Sequence, residues 1–245
     1  NYVEVIKSEM LWTSILNTLY YCLSVPINIC VSLFLANVLT RKIFCGKIAR
    51  IILFVPQVCS SVAVTLMWQW IFEDNYGVIN TVLTAMGLPK IAFMTDKNWF
   101  MPAVLTISLW QNGTNVVLLQ AAFVNINKSL QEAARIDGAN GWQILWKITI
   151  PNVMPSITIC TFLTLTNSFK LYDQNLALTA GRPFIQQGGE VIKTTEMLAL
   201  NIVNSFYASA RSRGVGQAKA VIFFVLVAVL SILQLRSTRE KEVQQ

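Results

Sequence analysis

Among the amide side chains within long apolar stretches of the sequence, four are candidates for binding an uncharged solute. They are Gln57, Asn112, Asn115 and Asn167. An amide both donates and accepts hydrogen bonds without carrying a net charge, so amides suit the hydroxyl groups of a solute. Polar groups in apolar helices also bond across to neighbouring helices as packing contacts, which is the simpler interpretation for any one of them alone. As a set, the four predict the polar lining of a substrate path.

The sequence offers little for acid–base catalysis or for a metal site. It contains no histidine, the side chain that serves most often as a general base and as a metal ligand. It has five cysteines without metal-ligand spacing, namely Cys22, Cys30, Cys45, Cys59 and Cys160, and all of them except Cys45 lie inside apolar runs. It also lacks the G-x-x-x-x-G-K-[ST] pattern that holds ATP phosphates. We therefore expect no catalytic residue, no metal and no cofactor bound by this chain.

The composition is typical of a protein whose solvent is a lipid bilayer. Of the 245 residues, 54% are hydrophobic and only 13% are charged, whereas a soluble domain has about 25% charged residues. The formal net charge is +7, but the basic residues lie mostly in short loops beside apolar runs. This distribution fits lipid headgroups and the excess of basic residues in cytoplasmic loops, and it argues against a nucleic-acid partner.

Long runs without charge predict an all-α polytopic membrane protein that forms a single transmembrane domain over residues 1–245. Pro26 should kink the first span, and Lys219, near the start of the last, should extend its ammonium group towards the interface. The predicted spans are five and cover about residues 11–39, 51–72, 100–126, 151–172 and 215–235.

The basic residues also predict an orientation. We expect the loop at 41–50, the loop at 127–150 and the C-terminal tail on the cytoplasmic side, because short loops rich in Lys and Arg stay inside. The segment 173–214 is then outside, and the spacing of its apolar residues predicts an amphipathic helix there. Five spans with a cytoplasmic C-terminus put residue 1 outside. We therefore expect one further N-terminal span upstream of it.

The loop between the third and fourth spans has a strong helical signal of its own. Ser129 and Glu132 have the spacing of a capping box, and Gly138 stands where a left-handed residue would end that helix. Asn140 can cap a second helix, after which Pro151 and Pro155 should turn the chain back towards the membrane. On local grounds alone this is a helix–turn–helix, and it could be no more than a well-capped surface loop.

Three motifs in the sequence match one known family. Glu132-Ala133-Ala134, then Gly138, Ile148 and Pro151, follow the pattern E-A-A-x3-G-x9-I-x-x-P, with Ile150 in place of the usual leucine. Further patches are FKLYD at 169–173 leading to LTAGRP at 178–183, where Arg182 replaces a glycine, and GQAKAV at 216–221. The chain resembles the inner-membrane permease subunits of binding-protein-dependent ATP-binding-cassette importers, in the branch that takes up carbohydrates.

This resemblance implies a function for the loop. In that family the E-A-A segment docks on a cytosolic ATPase, so that closure of the ATPases reorients the spans. The resemblance implies that the ATPase-coupling residues are Glu132, Ala133, Ala134, Asp137, Gly138 and Pro151. We expect Trp142 and Trp146 nearby to pack against the chain's own spans rather than against the partner.

The resemblance also implies the partners and the location. They are a second permease subunit forming a homologous heterodimer, two ATPase subunits that hydrolyse Mg-ATP, an extracellular solute-binding protein and a sugar, in a bacterial plasma membrane. The chain would be a transport subunit and not an enzyme. The alternative is an ATPase-independent secondary carrier of a small polar solute. Such a carrier uses Asp, Glu or His within its spans for ion coupling, and these spans have essentially none.

Overall fold

The structure of the protein is a computed structural model that describes residues 1–40, 46–187, 190–209 and 212–239. Residues 41–45, which carry part of the first predicted cytoplasmic loop, and residues 240–245 of the tail lie outside the described residues. The described part is predominantly helical, as the sequence predicts.

The helices follow one another with short connections. In chain order they are α1 (Tyr2–Lys7), α2 (Glu9–Cys22), α3 (Ser24–Thr40), α4 (Gly46–Val58), α5 (Ser61–Ile71), α6 (Val78–Ala85), α7 (Lys97–Trp110), α8 (Gly113–Val124), α9 (Lys128–Ile136), α10 (Gly141–Ile144), α11 (Ile150–Phe169), α12 (Asp173–Leu178), α13 (Leu198–Ala208) and α14 (Arg213–Arg239), with a π-helical turn (Leu145–Thr149) joining α10 to α11.

Three helical segments are long and apolar enough to cross a membrane. They are Glu9–Thr40, with 32 residues, Gly141–Phe169, with 29, and Arg213–Ser237, with 25. At 1.5 Å per residue the shortest is about 37 Å long, more than the roughly 30 Å of a bilayer's hydrocarbon core. The first segment is interrupted at Leu23, three residues before Pro26, where a proline ring disturbs the preceding turn of a helix.

The structure divides two of the predicted spans into pairs of helices. Residues 51–72 form α4 and α5, which are separated at Cys59 and Ser60 and count as a fourth span only if the broken pair is taken as one. Residues 100–126 form α7 and α8, which are separated at Gln111 and Asn112. Composition predicts how long an apolar run is, but it does not predict where the helix within the run is interrupted, because helix direction is set by tertiary packing.

The chain forms two compact units. The first unit contains Asn1–Ser24, Cys59–Leu109 and Thr166–Ala228, and the second contains Val25–Val58, Trp110–Leu165 and Val229–Gln245. In the first unit one apolar cluster gathers around Phe100 and Ile107, both fully buried, and another joins α1 and α2 to α13 and α14. In the second unit the core is formed by buried residues of α3, α8 and α11.

The helices α4 and α8 approach very closely in the second unit. A Cβ atom added to Gly113, the first residue of α8, would lie 2.1 Å from the carbonyl oxygen of Leu53 in α4. Only glycine permits this contact, because any side chain there would overlap the backbone of α4. Gly113 therefore fixes the separation of the two helices.

The segment between the fourth and fifth predicted spans contains more than the predicted amphipathic helix. Helix α13 is present, and it is preceded by a hairpin of two antiparallel strands, β1 (Phe184–Gln187) and β2 (Glu190–Lys193), in which Ile185 pairs with Ile192. Val191, one of the apolar residues of this segment, lies in β2 and not in a helix.

Lys219 differs from its prediction. Its side chain is only 6% exposed, and its Nζ donates hydrogen bonds to Asn201 Oδ1 and to Ser205 Oγ, both at 2.8 Å. The ammonium group thus bonds to α13 within the first unit and does not extend to the interface. The expectation is wrong because two polar residues 14 and 18 positions earlier in the sequence pack against it.

Candidate coupling loop and substrate path

Helix α9 begins the candidate coupling loop, and Asn127 caps it. The Asn127 side chain accepts a hydrogen bond from the Ser129 N–H group at 3.0 Å. The predicted capping box of Ser129 and Glu132 is therefore wrong, because Asn127 is as good a capping residue and starts the helix earlier. As a result Glu132 has no capping role, and its exposed carboxylate is available for a contact outside the chain.

Gly138 ends α9 in the way that the sequence predicts. Its φ is +81°, in the left-handed region, and its N–H donates to the Arg135 carbonyl at 3.1 Å. The N–H of Ala139 donates to the Ala134 carbonyl at 2.9 Å, which completes a Schellman motif. A Cβ at Gly138 would have no atom within 4 Å, so the backbone conformation and not a lack of space favours glycine here.

The second helix of the loop is continuous with the fourth predicted span. Asn140 and Gln143 form a reciprocal capping box, with both hydrogen bonds at 2.9 Å, and so start α10 as expected. Pro151 and Pro155 do not turn the chain, however, since both lie within the continuous helical segment Gly141–Phe169. The π-helical turn changes the hydrogen-bond register directly before Pro151, which accommodates its missing N–H group.

Four of the six coupling residues implied by the resemblance are exposed, and all four lie at α9 and the turn that follows it. Glu132, Ala133, Asp137 and Gly138 are exposed, and Ala134 is half-buried on the same helix. Pro151, also half-buried, lies in α11 and not in the turn itself. The loop therefore presents a small-residue face beside a carboxylate, which allows another backbone to approach closely.

Trp142 and Trp146 are exposed beside this surface. Their side chains are 68% and 53% exposed, and their rings pack edge-to-face with centroids 5.7 Å apart. They contact each other and are not buried against the chain's own spans, so that expectation is wrong. One helical turn separates them, which places both on the same side of the helix.

Two of the four amides predicted for the substrate path lie together in the second unit. Asn115 Nδ2 donates to Asn112 Oδ1 and to Thr164 Oγ1, and Asn112 Nδ2 donates to the Asn28 carbonyl, all three at 2.8 Å. Both asparagines are buried. This network joins α3, α8 and α11. The hydrogen bonds of these two amides are therefore packing contacts between helices, as the simpler interpretation of the sequence predicts.

The other two amides have different surroundings. Gln57 is exposed, and its Nε2 donates to the backbone carbonyl of Gln111, the residue before Asn112. Asn167 is exposed and belongs to the first unit. Of the two exposed amides in the predicted set, Gln57 is the one that bonds beside Asn112.

Three polar residues of the second unit, outside the four predicted amides, also take part in hydrogen bonds between helices. Asn28 and Thr164 take part in the bonds above, and Gln120 Nε2 donates to the Leu39 carbonyl at 2.9 Å. Thr164 and Gln120 use their side chains and lie inside apolar runs, which is the same signal that identified Asn112 and Asn115. Asn28 takes part through its backbone carbonyl, which its residue type does not reveal.

The fold of the chain matches that of solved importer subunits. A crystal structure of a bacterial alginate ABC transporter, in complex with its alginate pentasaccharide-bound periplasmic protein, superposes with a TM-score of 0.83 at 24% identity. The match covers 97% of this chain and 81% of that one. The two chains therefore share one fold.

The family follows from the sequence comparisons. Residues 28–241 match the binding-protein-dependent transport system inner membrane component, and the chain belongs to this family of multi-pass inner-membrane proteins. It is 36% identical, over 100% of its length and 80% of the relative's, to the probable starch degradation products transport system permease protein AmyD of Thermoanaerobacterium thermosulfurigenes. It is 30% identical to the lactose transport system permease protein LacF of Rhizobium radiobacter, over 99% of this chain and 80% of that one.

Proposed function

We propose that this chain is one of two membrane subunits of a bacterial importer that moves a sugar across the plasma membrane by alternating access. ATP is hydrolysed by two separate cytosolic subunits, and an extracellular solute-binding protein delivers the sugar. The second membrane subunit is a homologue, and the C-terminus of this chain is cytoplasmic. The relatives support the substrate class, since their names include transport of starch degradation products, lactose and alpha-glucoside.

The observation that carries the coupling role is the exposed turn at Gly138 followed by an unbroken helix. Glu132, Ala133 and Asp137 form an exposed surface on α9, and the Schellman motif fixes the direction in which the chain leaves it. The next helical segment, Gly141–Phe169, then runs without a gap into a predicted span. A partner that displaces the turn would therefore displace the start of that span directly.

The amides support an uncharged substrate. Asn112 and Asn115 are buried without a charged partner, and Gln57 lies exposed beside them. Neutral donors and acceptors match the hydroxyl groups of a sugar and give no net electrostatic attraction to an ion.

The coupling proposal is tested by co-purification with the ATPase subunit. We expect Glu132→Lys and Gly138→Trp to reduce both the amount of ATPase that co-purifies and the sugar-stimulated ATPase rate. The matched control is Gly87→Trp, since Gly87 also has a positive φ, +75°, and open space around it, but lies in the predicted outer connection. Equal retention of the ATPase in Gly138→Trp and Gly87→Trp would contradict the assignment of this surface.

The transport proposal is tested in liposomes that contain the assembled transporter. Uptake of radiolabelled lactose or methyl α-glucoside should require ATP, the ATPase subunits and the binding protein. Uptake that continues without the ATPase under an ion gradient would instead support the secondary carrier.

A further inference from the structure

A cavity of about 330 Å³ lies within the first unit, apart from every residue assigned above. Its floor is apolar, because Phe100 and Met101 of α7 line it and both are buried. One side is a face of α2 that carries Asn17 and Tyr20, and all seven side chains lining the cavity are uncharged. The volume lies at the lower end of the range for small-molecule sites, about 300–1,000 Å³.

Asn17 is held in a fixed orientation at the edge of this cavity. Its Nδ2 donates to the Thr194 carbonyl at 2.8 Å and to the Glu196 carbonyl at 3.1 Å. Both N–H groups of the amide are therefore used, and Oδ1 remains as an acceptor for a ligand hydroxyl. An acceptor fixed in advance loses little entropy when a ligand binds.

Two further side chains complete a mixed polar and aromatic lining. Tyr20 lines the cavity and is 44% exposed, so part of it is available to a ligand. Asn98, in the first turn of α7, is exposed, and its amide can both donate and accept. A sugar ring has the matching chemistry, with hydroxyl groups at its edge and apolar C–H groups on its faces that stack on an aromatic ring.

We propose that this cavity is an outer subsite for a single neutral sugar ring. In this subsite Asn17 and Asn98 bond the hydroxyl groups, and Tyr20 stacks on the ring. The inference rests on the proposed function and on the orientation predicted from the loops. Asn17 lies eight residues after Glu9, the start of the first span, which is about 12 Å along the helix from its outer end. The subsite would receive the sugar released by the binding protein.

The test uses the complete transporter in nanodiscs without ATP and without binding protein. Lactose and methyl α-glucoside serve as probes in saturation-transfer NMR, and uptake in liposomes gives KM and the maximal rate. Loss of one neutral hydrogen bond or of the stacked ring should weaken sugar binding about 3- to 10-fold. We expect this loss for Tyr20→Leu and Asn98→Ala, a smaller one for Tyr20→Phe, and none for Tyr76→Leu, the same substitution at an exposed tyrosine that does not line the cavity.

The results separate the subsite from the proposed function. If the wild type takes up a probe sugar while Tyr20→Leu and Asn98→Ala keep its affinity and KM, the subsite is wrong and the sugar importer stands. If the wild type takes up neither probe, the sugar assignment fails and the subsite fails with it. If Tyr20→Leu instead weakens the binding of sugar-free binding protein, the cavity receives a protein and the subsite is overturned. Asn98→Ala is included because Asn98 is exposed, so this substitution should leave the fold intact even if Tyr20→Leu does not.

Discussion

Replacing Gly113 with alanine should push α4 and α8 apart. The new Cβ would lie 2.1 Å from the Leu53 carbonyl oxygen and 2.9 Å from its carbonyl carbon. Atoms that are not bonded to each other pack best at about 3.5–4.0 Å, so relief of the overlap needs a shift of more than about 1 Å. The obstacle is backbone and not the end of a flexible side chain, so no change of rotamer can provide that shift.

The expected cost follows from the size of this overlap. Overpacking of a well-packed interface costs about 1–3 kcal/mol in the free energy of unfolding. For a chain of this length each kcal/mol lowers Tm by about 2–4 °C, which gives a decrease of about 2–12 °C. Because Asn115 lies in α8 and bonds to Thr164, the shift should also strain this hydrogen bond and slow sugar uptake.

Gly141→Ala is the matched control. Gly141 is also the first residue of a helix that follows an asparagine cap, but a Cβ there has no atom within 4 Å. Its Tm should change by less than about 2 °C, since a substitution without new contacts changes the unfolding free energy by about 0.5 kcal/mol or less. Thermal unfolding of the purified transporter in nanodiscs measures both variants. A Gly113→Ala protein with the Tm of Gly141→Ala would refute the close approach of α4 and α8.

Three further predictions concern other parts of the chain. Lys219→Met should lower the unfolding free energy by about 1.5–3 kcal/mol, as measured by thermal unfolding, because it removes a charged hydrogen bond to Asn201 and leaves that amide buried. Gly138→Ala should lower the free energy of unfolding by about 1–2 kcal/mol, because alanine is strained at the positive φ of this position. Gly138→Asn should lower it less, since asparagine tolerates this conformation. The sugar-stimulated ATPase rate should decrease in the same order. The N–H of Tyr76 bonds to the exposed Glu73 carboxylate and lowers its pKa. The stability that this bond contributes is therefore present above the ordinary pKa of glutamate, about 4.3, and is lost as the pH falls through the lower pKa of the folded protein. Glu73→Gln should remove this part of the acid dependence of Tm, and an unchanged dependence would argue against it.

The sequence predicts the coupling loop well where the signal is local. Gly138 and Asn140 behave as expected, because a left-handed turn and a helix cap depend on neighbouring residues alone. The start of α9 was misplaced, since Asn127 and Ser129 are both good capping residues and the pattern does not choose between them. Pro151 was misjudged because the effect of a proline in a membrane helix depends on how the surrounding turns re-pair their backbone groups.

Features that depend on distant residues could not be predicted. Lys219 has the position of a lysine that reaches the interface, and only the packing of α13 against α14 brings Asn201 and Ser205 to it. The break between α4 and α5 could not be predicted either, because the composition of an apolar run does not show where its helix is interrupted. The polarity of Asn112 and Asn115 marked them as important, but their mutual hydrogen bond required the structure.

The unbroken segment Gly141–Phe169 can act as a lever arm. Its 29 residues measure about 43 Å along the helix axis. If the segment pivots at the loop end, a rotation of about 10° moves the other end sideways by about 7–8 Å on that length. A displacement of this size is comparable to the width of a sugar ring. A small angular change at the Gly138 turn would therefore be amplified mechanically into a movement large enough to open or close a passage for one ring.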